Sequence, residues 1–214
     1  MQTENILQII SLMDELSLTM LDDLLQWCSH KDSEVRYRAN EKLIEIFSEK
    51  DVPANVLQCI RKGLHDRDEF VRCTCLEFLE DHVSLARYDA VAPFLLDKDG
   101  IVRGEAAIVL GKIGDKRAVS DIMAAIGKST DAEKVPLYFG LYLLGVQTAL
   151  SGLIQLLRSR EYIARCAAAN ILPLCAKDKT KIRIINALSR AMEIENTKAA
   201  KSSLVKALEK LRRR

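Results

Sequence analysis

Residues 97–126 read DKDGIVRGEAAIVLGKIGDKRAVSDIMAAI, and the spacing inside this stretch decides the fold. Taking Val102 as position zero, Val102, Ala106, Leu110 and Ile113 fall within about 80° of one another on a helix turning about 100° per residue. Asp99, three residues before Val102, is placed to accept hydrogen bonds from the first exposed N–H groups of that helix. Gly114 suits a helix end with positive φ, where only glycine avoids a Cβ clash. Ala118, Val119, Ile122 and Ile126 then resume helical spacing. The stretch therefore predicts a helix, a tight turn and the opening helix of another pair.

The same frame recurs along the chain. An aliphatic residue, a basic residue, then small or apolar residues four and eight positions on appear in Val35-Arg36…Ala39…Leu43 and Val71-Arg72…Cys75…Leu79. Looser copies follow in Val135-Pro136…Phe139…Leu143, Ala164-Arg165…Ala168…Leu172 and Ala200-Lys201…Leu204…Leu208. The copies stand 36, 31, 33, 29 and 36 residues apart, a period that signals stacked helix pairs. The expected fold is all-α: an α-solenoid of about six stacked helix pairs, right-handed and superhelical, with a concave groove.

One domain is expected over 1–214. Residues 1–30 supply a capping helix, with a break near Glu15 to Ser17, and the first helix of repeat one; residues 196–214 supply a C-terminal capping helix. The most apolar stretch, Val135 to Leu150, reads as a buried helix.

The Asp at the cap position recurs as Asp32, Asp68 and Asp99, with Glu161 and Thr197 in copies five and six and Asp131 beside that position in copy four. The basic residue (Arg36, Arg72, Arg103, Arg165, Lys201) can pair within its helix or with the equivalent Asp of the adjacent repeat. This ladder reads as construction, cap plus staple, and not as a binding stripe.

Net charge is only +2, but it is unevenly spread. Residues 1–100 carry 11 Lys and Arg against 20 Asp and Glu, while residues 101–214 carry 21 against 10. In a stack of repeats, sequence distance becomes spatial distance, so an acidic end and a basic end are expected. The N-terminus lacks a signal-peptide pattern and no window of 18 uninterrupted apolar residues occurs, so no membrane association is expected. Six cysteines without framework spacing point to a reducing, cytoplasmic setting.

Motifs for chemistry fail on spacing. Gly127-Lys128-Ser129-Thr130 resembles the tail of a phosphate-binding loop, but Ile122 stands where the first glycine is needed. Asp97-Lys98-Asp99-Gly100 lacks the later ligands of a calcium loop. Cys73 and Cys75 lie about 200° apart around a helix and cannot chelate one ion together. No catalytic residue, metal site or cofactor is expected, and no small-molecule substrate is evident.

The stretch Asp97 to Ile126 closely resembles the short HEAT repeats of phycobilisome-lyase type, whose Val-Arg-x-x-Ala-x-x-x-Leu-Gly-x-Ile-Gly-Asp-x-Arg-Ala-Val order it follows from Val102 to Val119. The likeness is good at Asp32–Leu43 and Asp68–Leu79 and weak from Val135 onward. It departs at Pro136, which stands where Arg is expected and is tolerable in a first helical turn. The resemblance implies an α-solenoid whose second helices line a concave face. It leaves function open among scaffolds, immunity-type inhibitors, lyase subunits and DNA-repair glycosylases.

Positions beside the core stripe on the second helices carry the functional expectation. Glu41, Glu45, Glu77, Asp81 and Glu105 would meet a basic partner surface. Tyr138 and Tyr142, four apart, would anchor the middle or else pack on a neighbouring helix. Lys206 and Lys210 would meet an acidic region. The leading reading is a non-catalytic scaffold or adaptor that binds a protein along its concave face. An inhibitor of a basic toxin or nuclease is one alternative. A nucleic-acid-binding or glycosylase-like protein using the basic C-terminal third, including Arg158, Arg160, Lys177, Lys179, Lys181 and Arg183, is another.

Overall fold

A computed structural model describes residues 2–13, 18–48 and 51–213. Among them are thirteen α-helices, three 3-10 segments and no strand. They form two compact units, residues 1–87 and 88–214. The break expected near Glu15 to Ser17 falls outside the described residues.

In the first unit a leading helix, α1 (Thr3–Ser11), precedes two pairs: α2 (Leu18–Trp27) with α3 (Ser33–Phe47), and α4 (Ala54–Gly63) with α5 (Glu69–Asp81). A 3-10 turn, Val83–Leu85, follows. Helices α1, α3 and α5 pack in a row, with α2 and α4 laid against it. Val35, Ala39, Leu43, Val71, Cys75 and Leu79, the repeat-frame residues, are all buried. Gly63 lets α4 approach α5, because a Cβ there would stand 2.4 Å from Cys75 Sγ.

The second unit holds four pairs. The first is irregular: α6 (Tyr88–Val91) runs into the 3-10 segment Ala92–Leu96 before α7 (Gly100–Ile113). Then come α8 (Ala118–Ile126) with α9 (Asp131–Leu143), and α10 (Ala149–Leu156) with α11 (Tyr162–Ile171). The 3-10 segment Leu172–Cys175 and α12 (Asp178–Ile194) precede α13 (Lys198–Arg212). The row here is α7, α9, α11, α13. Small residues set its close spacing: a Cβ on Gly140 would lie 2.3 Å from Ala107 O, and one on Gly104 2.6 Å from Pro136 Cγ.

The caps form as the sequence predicts at Asp32, Asp68 and Asp99, whose Oδ1 atoms accept from Glu34, Phe70 and Ile101 backbone N–H groups at 3.0, 3.0 and 2.9 Å. Copy four differs. Thr130 caps α9 in a box with Glu133, and Glu161, from the next repeat, accepts from Ala132 N at 3.1 Å. Pro136 lies in the second turn of α9 and not the first, so it removes an interior hydrogen bond. Gly104 opposite gives its ring room. Val135 to Leu150 is not one helix: α9 ends at Leu143, Gly145 takes φ +80°, and α10 starts at Ala149. Leu143, predicted to be core, is exposed, and Leu144 is buried in its stead.

The basic residue of the frame is a staple, with a different partner from the expected cap Asp. Arg36 grips Asp66 through Nε and Nη2, both at 2.7 Å, and its Nη1 donates to His30 O and Lys31 O. Arg165 grips Glu195 at 2.6 and 2.9 Å and donates to Ser159 O and Arg160 O. Asp66 and Glu195 each stand two residues before a cap and also accept from that cap's N–H, Asp68 N at 2.9 Å and Thr197 N at 2.8 Å. Arg103 reaches Glu133 at 2.9 Å. In copy four, where Pro136 replaces the arginine, Ser159 takes the place of the acid and donates to Asp131.

Candidate partner-binding surfaces

Three of the predicted acids meet in the first unit. Leu7, Ile10 and Ser11 of α1, Glu34, Arg38, Glu41, Lys42, Ile44 and Glu45 of α3, and Glu77 of α5 line an open groove of about 700 Å³. Ile10 is buried and Leu7 and Ile44 are half-buried, giving an apolar floor, while Glu34, Glu41, Glu45 and Glu77 are exposed. Helical period explains the arrangement: positions 34, 38, 41 and 45 share one side of α3, beside the buried stripe of Val35, Ala39 and Leu43.

Most of the rim is locally paired. Arg38 bridges Glu34 and Glu41 at 2.9 Å each, and Lys42 reaches Glu45 at 2.9 Å. Glu77 differs. No cation pairs with it among the described residues, and its carboxyl is pushed above the ordinary range by desolvation and by repulsion from Glu80, Glu41 and Asp81. Asp81, exposed one turn further along α5, therefore belongs to the same negative field.

The remaining predicted residues lie in the second unit. Glu105 is half-buried on α7. Tyr138 and Tyr142 occupy two separate clefts. One, about 520 Å³, is lined by Tyr138, Lys134, Arg158 and Arg160 among others; the other, about 470 Å³, by Tyr142, Lys177, Lys179 and Arg183 among others. Both rings serve packing. Tyr138 lies over Gly152, where a Cβ would stand 2.5 Å from the ring. Tyr142 donates its hydroxyl to Cys175 O at 2.8 Å. Lys206 and Lys210 are exposed on α13. The candidate residues thus divide four and five between the units.

Sequence reasoning missed the contribution of α1. Its amphipathic spacing was legible, but nothing in it said that Leu7 and Ile10 would wall a groove beside α3.

The PBS lyase HEAT-like repeat family matches residues 102–128. No curated protein matches the chain. Among solved structures, an archaeal HEAT-like repeats protein from Thermococcus onnurineus NA1 is similar at 19% identity and TM-score 0.44, covering 97% of this chain and 92% of that one. A designed armadillo repeat protein is similar at 16% identity and TM-score 0.46, covering 89% and 99%. An engineered protein is similar at 16% identity and TM-score 0.46, covering 91% and 99%. No helix among the described residues is long and apolar enough to cross a membrane.

Proposed function

We propose that the chain, whose residues 102–128 match the PBS lyase HEAT-like repeat, is a HEAT-like non-catalytic binding module whose first unit takes a basic surface of a partner protein. Glu77 carries the proposal. A carboxylate repelled by three other acids, with no cation paired to it among the described residues, costs the free protein stability that an incoming Lys or Arg restores. Glu41, Glu45 and Asp81 extend the field, and Leu7, Ile10 and Ile44 supply apolar surface beneath it. Lys206 and Lys210 would make a separate, weaker contact with an acidic region, and we place the protein in the cytoplasm, as its six free thiols suggest.

The test is affinity capture with the chain and with its E41K/E45K/E77K variant at low and moderate salt. A basic protein held by the former, lost by the variant and weakened by salt supports the proposal. Equal retention by both would overturn it. Capture of nucleic acid that is lost instead on neutralising Lys177, Lys179 and Arg183 would move the function to the second unit.

A further inference from the structure

We propose that the occupant of the acidic groove is a basic amphipathic helix, seated along α3 with its apolar side on Leu7, Ile10 and Ile44. This rests on the reading of the first unit as a site for a basic protein, and adds the conformation and side-chain pattern of what binds.

The groove combines two demands that an extended basic tail does not meet together. Its floor is apolar, and Glu34, Glu41 and Glu45 of α3 and Glu77 of α5 line it together with Arg38 and Lys42, so acids outnumber cations around it. A bound segment must therefore present aliphatic side chains to the floor and cations to the acids beside it. A helix does this with Leu or Ile at i, i+3 or i+4 and i+7, and Lys or Arg between them. An extended strand alternates its side chains between two opposite faces only, so it points every second cation into solvent.

Length agrees. Glu34 to Glu45 spans about 16 Å of α3, roughly three helical turns, which matches an i to i+7 set of anchors. Helix-forming segments also satisfy their own backbone groups, as this groove offers no open sheet edge and few backbone donors to an extended chain.

Three synthetic peptides of about 18 residues and equal positive charge provide the test, read by fluorescence anisotropy against the full chain. The first places Leu at helical spacing among Lys; the second scrambles the same composition; the third keeps the order but carries central prolines. The first should bind about tenfold or more tighter than the others and gain helical circular dichroism on binding. Ile44→Asp should remove that advantage, and Leu7→Ser should reduce it; retained circular dichroism and melting of each variant exclude misfolding. Equal binding of all three peptides, with loss only on E41K/E45K/E77K, would overturn the helix and leave the basic-partner site standing. Binding of none, by chain or variant, would overturn both.

Discussion

At the scale of single residues, the informative groups are those whose charge the fold either holds or fails to compensate. Arg165 and the buried Glu195 are the clearest case of the first kind. Glu195 sits well below the ordinary carboxylate range because Arg165 grips it, outweighing desolvation, with Thr197 adding two hydrogen bonds. A depressed acid contributes stability above its unfolded value, and that stability is lost as pH falls below the ordinary Glu range of about 4.3. Glu195→Gln should cost about 3 kcal/mol at neutral pH in urea unfolding, and the loss should shrink with acidification. A pH-independent loss would contradict this. Glu77 runs the other way: its carboxyl is raised, so its ionised form opposes folding. Glu77→Gln should raise stability at neutral pH by at most about 0.5 kcal/mol, since exposure screens the charge, with no gain near pH 4. Destabilisation at neutral pH would show that the acid has a structural partner. The thiols offer a third check. Cys59 is lowered by its hydrogen bond with Cys28, while Cys28 is raised by that same bond and by burial. Burial pushes Cys175 up to about 12. Mass spectrometry after brief alkylation at pH 8 should find Cys59 labelled before Cys28 and Cys175; the reverse order would refute the assignment. The caps were legible in sequence because cap chemistry is local. The staple's true partner was not. Arg36 and Arg165 take the acid two residues before the next cap, Asp66 and Glu195, and no local rule marks that residue.

At the scale of elements, small residues do the positioning. Gly140 brings α9 against α7 so closely that alanine would collide with Ala107 O. Gly140→Ala should therefore destabilise by about 1–3 kcal/mol, although alanine is the better helix former by about 1 kcal/mol. Gly127, at φ −62° with its nearest neighbour 3.6 Å from a built Cβ, should gain up to about 1 kcal/mol from the same change. Urea denaturation of both variants separates packing from propensity: matching signs would contradict the close approach. The repeat frame revealed which residues are buried, since apolar period survives in sequence. It missed the break at Gly145, hidden within the run Phe139 to Val146, where continuous hydrophobicity gives no period to interrupt. It also placed Pro136 a turn too early, because the boundary of α9 depends on Thr130, which stands outside the frame.

At the scale of the molecule, charge and cooperativity are the properties to measure. Residues 1–87 hold 10 Lys and Arg against 17 Asp and Glu, and residues 88–214 hold 22 against 13, so the units carry opposite net charge. The repeat period crosses their boundary without a gap, from Val71 to Val102, and we propose that the chain unfolds as one domain. A single urea transition followed by circular dichroism and by Trp27 fluorescence should result; two separated transitions would oppose it. The exposure of Glu41, Glu45, Glu77 and Asp81 was legible because helical spacing beside a buried stripe needs no tertiary knowledge. The bond of the Tyr142 hydroxyl was not, since its partner Cys175 O lies 33 residues away in sequence. The most direct measurement is amide hydrogen exchange of the chain with and without its captured basic partner. Exchange should slow in α1 and along α3, with the E41K/E45K/E77K variant unprotected. Protection confined to the second unit, or protection of α3 that survives the charge reversal, would contradict it.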